Sequence, residues 1–129
     1  MESWQSGKWL DQAQEGILEV QGILSEQLSY NPGKLQEQLA KAEVWYSRMS
    51  ILLADATARL AENEYQAILA VKDDTTAKVK ELAAKAAVSR DRRLVDILKG
   101  LCDSIKNRLI LGMSLIRTFD MEKRGGQFS

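Results

Sequence analysis

The chain has 129 residues, of which 45% are hydrophobic and 28% are charged, and its formal net charge at pH 7 is zero. It contains no histidine and one cysteine, so it lacks the commonest general base and can form neither an intramolecular disulfide nor a cysteine-rich zinc site. No phosphate-binding loop motif occurs, and the sequence therefore predicts a protein that is not an enzyme and holds no metal or cofactor.

The charges are divided unequally along the chain. Residues 1–70 carry five Lys/Arg against ten Asp/Glu, whereas residues 71–129 carry thirteen against eight. This asymmetry predicts a basic surface for an anionic partner in the second half and an acidic surface in the first. The alternative is that these charges only solvate exposed helices.

The sequence predicts a cytoplasmic protein. The first residues lack a basic start followed by an apolar run, and no stretch approaches about 18 uninterrupted apolar residues. A lone cysteine fits a reducing compartment, and because Cys102 lies in an apolar stretch we expect a small buried hydrophobic residue rather than a reactive thiol.

The first predicted element is an amphipathic helix within residues 1–30. Its apolar residues recur at helical spacing, but Gly16 and Gly22 each cost about 1 kcal/mol in a helix interior. This helix therefore needs a partner surface. The Asn-Pro-Gly sequence at residues 31–33 is a strong turn signal that ends it.

A long helix is predicted over residues 34–71. Apolar residues alternate steps of four and three along it, which is typical of coiled-coil-like packing. Asn63 interrupts this seam as a register device or as an ordinary satisfied polar residue. The full seam is Leu35, Leu39, Ala42, Tyr46, Met49, Leu53, Ala56, Leu60, Asn63, Ala67 and Ala70.

Two more helices complete an all-α fold. Asp74, Thr75 or Thr76 can cap a short helix over residues 76–88, and Ser89 can cap a C-terminal helix over residues 90–122. Residues 34–129 thus form one helical core that follows the N-terminal helix.

The C-terminal helix has a wider apolar band than one neighbouring helix can cover. A subunit interface would cover it, so we expect a homo-oligomer that assembles through this helix. The predicted interface residues are Leu101, Ile105, Leu109, Leu111, Leu115, Ile116 and Phe119.

Basic residues suggest a nucleic-acid surface on the same helix. Arg92, Lys99 and Lys106 recur every seven residues and so share one helix face, where repetition in an oligomer would give a continuous positive track. Pairing with Asp96, Asp103 and Glu81 is the alternative. Stacking of bases on Trp45 is a further hypothesis, whereas Tyr46 lies on the seam and is expected in the core.

Three stretches resemble the phage recombination mediator family, the UvsY-like proteins of T-even-type phages. "VWYSRMSILL" (Val44–Leu53) resembles that family's entry into a long helix. "AVKDDTTAKVKEL" (Ala70–Leu82) resembles the end of that helix and the capped segment after it. "DSIKNR" (Asp103–Arg108) resembles an Asp-x-Ile-Lys-x-Arg motif that precedes an apolar terminal helix.

The resemblance implies a ring-like oligomer that binds single-stranded DNA and helps to load a RecA-like recombinase onto DNA covered by single-strand-binding protein, in the cytoplasm of an infected bacterial host. The family's basic pair matches at Lys72 but not at Asp74, where an arginine is expected, so the other cations carry more of the predicted surface. The alternative is an oligomeric helical adaptor, a phage structural protein or a host-inhibitor protein without nucleic-acid binding. The predicted DNA-binding residues are Lys72, Lys78, Lys80, Lys85, Arg92, Arg93, Lys99, Lys106 and Arg108.

Overall fold

The structure is a computed structural model that describes residues 7–71 and 76–128. Four helices occupy these residues: α1 (Gly7–Ser25), α2 (Pro32–Ala70), α3 (Ala77–Ala87) and α4 (Ser89–Phe128). The described residues include no strand, so the predicted all-α class is confirmed. Within these residues α1 ends at Ser25, earlier than the predicted residue 30, and α4 continues past the predicted residue 122 to Phe128.

The Asn-Pro-Gly sequence starts α2. The side-chain oxygen of Asn31 accepts a hydrogen bond from the Lys34 backbone N–H over 3.1 Å, and Pro32 stands in the first turn, where its missing N–H is not needed. The turn predicted from these residues is therefore also the N-cap that fixes where the long helix begins.

The helices α2 and α4 run antiparallel over most of their length. At one end the Asn63 side-chain amide donates to the Asp91 carboxylate over 2.9 Å, and at the other end Gly112 lies against Leu39. With 39 and 40 residues, each helix is about 60 Å long. Asn63 thus links α2 to the first turn of α4.

The shorter helix α1 packs beside both long helices and runs antiparallel to α2. Near its start Trp9 lies under the Arg59 guanidinium, 5.2 Å from the ring centroid, and in its middle Gly16 faces Leu52. The three helices form an up-down-up bundle. Its core holds buried residues from all three helices: Trp9, Ala13, Val20, Ile23, Ala42, Met49, Ala56, Leu98, Cys102 and Ile105.

The seam predicted on α2 faces this interior. Leu35, Leu39, Ala42, Met49 and Ala56 are buried, whereas Ala70 at its end is exposed. A spacing of 3.5 residues keeps the seam residues on one side of a helix over many turns. The seam of α2 can therefore face α4 along most of the length of the two helices.

Gly16 contributes to helix packing. The sequence alone predicted only that this glycine lowers the stability of α1. A Cβ at this position would lie 3.1 Å from Leu52 Cδ1 and 3.6 Å from Met49 Sδ. The missing side chain therefore lets α1 approach α2 closely. Gly22, by contrast, has no atom within 4 Å of the same Cβ position.

The helices α3 and α4 are separated by one residue. Thr76, one of the three predicted caps, accepts a hydrogen bond from the Val79 backbone N–H over 3.4 Å and starts α3. The prediction that Ser89 caps the last helix is wrong: Ser89 is its first helical residue, and the Arg92 backbone N–H donates to the carbonyl of Val88. Val88 is buried and makes the bend.

Candidate nucleic-acid interface

The predicted DNA-binding cations fall on α3 and α4. Lys78 and Lys85 on α3 are exposed, Lys80 is half-buried, and Lys72 lies outside the described residues. On α4 the exposed cations of this set are Arg92, Arg93, Lys99 and Lys106.

The bend between α3 and α4 brings cations from two helices together. Lys85, Arg92 and Arg93 line one shallow depression of about 470 Å³, together with Ser89 and Asp96. The geometry follows from Val88, because a one-residue break places the last turn of α3 next to the first turns of α4. Three positive groups around an open depression form a suitable contact for a phosphate.

Two of these cations already have acidic partners. Lys85 Nζ lies 3.2 Å from a Glu81 carboxylate oxygen, and Arg92 Nη2 lies 3.9 Å from a Glu64 carboxylate oxygen. The Glu81 pair is one of those predicted as the alternative to DNA binding. The Glu81 pair is largely exposed and the Glu64 pair is partly exposed, so each is weak and a phosphate can compete for the cation.

Lys99 and Lys106 extend the basic surface along α4. Successive members of the row from Arg92 are two helical turns apart, which is about 10.5 Å. Within the described parts of the chain, no carboxylate oxygen lies within 4 Å of either lysine nitrogen. Asp96 and Asp103 stand one turn from these lysines and lower the local potential.

Arg108 has a different place from the one predicted. It is half-buried, and its guanidinium donates a hydrogen bond to the backbone carbonyl of Glu26, just past the end of α1. A cation beside the C-terminus of a helix stabilises that end. This guanidinium is therefore engaged inside the subunit, and we leave Arg108 out of the basic surface.

Trp9, Trp45 and Tyr46 offer little exposed ring surface for base stacking. Trp9 is 2% exposed, and Trp4 lies outside the described residues. Tyr46 is half-buried against the core, near where its seam position placed it. Trp45 is half-buried and carries the Arg48 guanidinium 4.9 Å from its ring centroid, on the α1 side of the molecule rather than beside the basic row.

The predicted oligomer interface divides into two groups. Ile105 is fully buried, and Leu101 and Leu109 are half-buried against the core of the same chain. These three residues stabilise a single subunit, and the prediction that Ile105 lies at a subunit surface is corrected by its burial. Leu111 is 61% exposed, and the half-buried members of the second group are Leu115, Ile116 and Phe119.

The second group lies where the bundle thins from three helices to two. Arg108 is level with the end of α1, so the part of α4 that follows packs mainly on the first turns of α2. There Ile110 and Met113, each 54% exposed, point away from the side that carries Leu115. Ile110 was not among the predicted interface residues.

Cys102 is buried, as predicted from its apolar surroundings. Burial raises the pKa of its thiol above the ordinary value, while a hydrogen bond with Ser50 opposes that shift and Asp103 adds to it. The neutral thiol is therefore the stable form at neutral pH, as expected of a buried cysteine rather than a reactive one.

Comparison of the chain with protein-family models, with curated proteins and with solved structures found no match. Among the described residues, no group of three or more Cys, Asp or Glu is placed to hold a metal ion. None of the described helices is long and apolar enough to cross a membrane.

Proposed function

We propose that this chain is a non-enzymatic recombination mediator that binds single-stranded DNA as an oligomer. In this role it helps to load a RecA-like recombinase onto DNA covered by single-strand-binding protein. The proposal combines the three stretches that resemble the UvsY-like phage family with the basic surface described above.

The convergence of Lys85, Arg92 and Arg93 at the α3–α4 bend supports this proposal most strongly. Arg92 continues into Lys99 and Lys106 along one face of α4, whereas Arg93 lies about a quarter turn away on the same helix. Contacts of this type bind phosphates regardless of base sequence, as a mediator that acts on any single strand requires.

Oligomerisation multiplies this weak surface. One subunit offers few phosphate contacts, and some of its cations are shared with carboxylates. When several copies hold one strand, each further contact becomes intramolecular and the avidity rises steeply. The exposed apolar end of α4, around Leu111, is the surface that we assign to this assembly.

The DNA surface is tested by the double variant Lys99→Glu/Lys106→Glu. A matched control, Lys8→Glu/Lys34→Glu, makes the same change in charge at exposed lysines on α1 and α2. Binding of a fluorescent single-stranded oligonucleotide is titrated between about 50 and 200 mM salt. We expect weaker binding by the α4 variant only, with a log–log salt slope reduced by about 1.4, since each phosphate contact contributes about 0.7.

Equal loss of affinity in both double variants would show that binding follows net charge and not this surface. Absence of binding by the unmodified protein at the lowest salt would favour the adaptor alternative. The ion pairs of Lys85 and Arg92 are the observations that fit such an adaptor, because they mute the positive field.

The assembly surface is tested by Leu111→Asp, which places a charge on the exposed end of α4. Leu18→Asp is the matched control, because Leu18 is 68% exposed on α1. Light scattering should give a lower mass for Leu111→Asp than for the control, with unchanged helical content in both. Unchanged mass in the Leu111→Asp variant would contradict assembly through this end.

A further inference from the structure

Helix α2 carries a second regular apolar stripe on the face that points away from the bundle. Its members alternate steps of four and three, as the core seam does. Val44 is 49% exposed, Ile51 64%, Tyr65 57% and Ile68 40%. Every member is exposed, and no charged residue interrupts the outer stripe: Ala40, Val44, Ser47, Ile51, Ala54, Ala58, Ala61, Tyr65 and Ile68.

The fold leaves this outer stripe uncovered among the described residues. The helix α4 packs on the opposite side of α2, where Leu39 and Met49 are buried, and α1 packs beside Trp45 and Leu52. The helix α3 also contacts α2 but leaves Tyr65 and Ile68 exposed. From Ala40 to Ile68 the stripe is about 42 Å long. Single exposed apolar residues need no explanation, but a stripe with a regular heptad period over four repeats indicates a helical partner.

We propose that the outer stripe pairs with the same stripe of a second copy of this chain, with the two α2 helices antiparallel. This inference does not depend on DNA binding, and its surface is separate from the apolar end of α4.

The side-chain sizes along the stripe fit an antiparallel pair. In the register that places Val44 opposite Ala61 of the second copy, Ile51 lies opposite Ala54 and Tyr65 lies opposite Ala40. Val44, Ile51 and Tyr65 then each face an alanine, so that these layers interdigitate. Ile68, at the end of the stripe, faces Glu37 of the second copy. A parallel pair in register would instead stack Ile51 on Ile51 and Ala54 on Ala54, with crowded layers followed by empty ones.

The charges that flank the stripe select the same register. One edge carries Lys41 and Arg48 in its first half and Asp55 and Glu62 in its second half. In the antiparallel pair Lys41 faces Glu62 of the other copy and Arg48 faces Asp55, and the two-fold axis repeats both contacts. None of these four side chains has an ion-pair partner among the described residues of its own chain.

The other edge carries two uncharged residues and two acidic residues. Ser50 would face Thr57 of the second copy, and Glu43 would face Glu64. The Glu64 carboxylate is 3.9 Å from Arg92 Nη2 of its own chain, which reduces the repulsion of this one like-charged contact. Four attractive contacts on the first edge outnumber the two repulsive ones on this edge.

Cysteine cross-linking tests the orientation directly. Val44→Cys and Ala61→Cys are made separately in a Cys102→Ala background, then unfolded, refolded together and oxidised. We expect a disulfide-linked dimer from the mixture only, because equal positions lie about 26 Å apart along the axis of an antiparallel pair, beyond the reach of a disulfide. Leu18→Cys, exposed on α1, is the control and should not cross-link to Ala61→Cys.

Dimers from either single variant alone would show a parallel pair and overturn the proposal, as would the absence of any cross-link in the mixture.

Charge reversal provides a second test that leaves the apolar stripe intact. It is made in a Leu111→Asp background, so that the end of α4 does not contribute to the mass. Lys41→Glu/Arg48→Glu makes the edge wholly acidic, and Asp55→Lys/Glu62→Lys makes it wholly basic. By sedimentation we expect each double variant alone to lose the dimer and their equimolar mixture to recover it. Dimers of either variant alone, or a mixture that stays monomeric, would refute the antiparallel pairing.

Discussion

Gly112 lies where α4 packs tightly against Leu39 of α2, and its replacement by alanine tests that packing. A Cβ there would lie inside contact distance of Leu39 Cδ2 and 3.0 Å from Leu39 Cγ and Cδ1. Leu39 is only 8% exposed, so its side chain has little room to move. Gly100 lies in the same helix and has no atom within 4 Å of its Cβ position, which makes Gly100→Ala the matched control.

Both substitutions increase helix propensity, but only Gly112→Ala overpacks a buried contact. Replacing a helical glycine with alanine stabilises a helix by about 1 kcal/mol. Overpacking a buried contact costs about 1–3 kcal/mol. We therefore expect Gly100→Ala to raise the free energy of unfolding by about 1 kcal/mol, and Gly112→Ala to be less stable than Gly100→Ala by about 1–3 kcal/mol.

Urea unfolding followed by far-UV circular dichroism measures both values at one fixed protein concentration, because assembly would otherwise shift the midpoint. A Leu39→Ala change made in each background completes a double-mutant cycle, which should give a coupling of at least about 0.5 kcal/mol for Gly112 and none for Gly100. If Gly112→Ala stabilised the protein as much as Gly100→Ala does, the close approach of α2 and α4 at this point would be refuted.

Three further predictions concern the cap, a polar contact and the buried thiol. Asn31→Ala removes the N-cap of α2 and should lower stability by about 1 kcal/mol in thermal unfolding, whereas Asn31→Asp keeps the acceptor and should change little. Asn63→Ala removes a donor to the Asp91 carboxylate and should cost about 1.5 kcal/mol; the same cost in an Asp91→Ala background would show that the bond is not formed. Burial raises the pKa of the Cys102 thiol, so ionising this thiol is harder in the folded protein than in the unfolded protein. The free energy of unfolding should therefore be highest below the ordinary thiol pKa of 9.0 and should fall as the pH rises above that value. Maleimide labelling at neutral pH should accordingly be much slower in the folded protein than in urea, and equal rates would contradict the burial.

The helical pattern predicted most of the fold because it depends on local chemistry. The period of α2 identified which face is buried, and Asn31 with Pro32 marked where the helix starts. The predicted start of α4 was wrong by one residue. Serine is a favourable N-cap residue, but the break between α3 and α4 lies at Val88, so Ser89 is already helical. Such a choice depends on the burial of Val88, which a local pattern does not contain.

The candidate site was less predictable because it depends on contacts between distant segments. The spacing of Lys99 and Lys106 placed them on one exposed face, as found. Arg108 has the same charge and nearly the same spacing, but its guanidinium is engaged by a carbonyl that lies 82 residues earlier in the chain. Ile105 was assigned to a subunit interface because the sequence alone does not show where α1 covers α4. On α4, the residues before the level at which α1 ends lie in the core, and more of the residues after it lie at the surface.

Because the bundle has fewer helices past Arg108, the local stability of α4 should differ between its centre and its C-terminal part. Backbone amides of α4 near Ile105 are shielded by two neighbouring helices, whereas those near Phe119 have α2 alone beside them. Such regions open locally at a lower free energy than the centre of a domain. The turns of α4 around Phe119 should therefore open at a lower free energy than the turns around Ile105, and in the proposed assembly a neighbouring subunit that binds there would stabilise them.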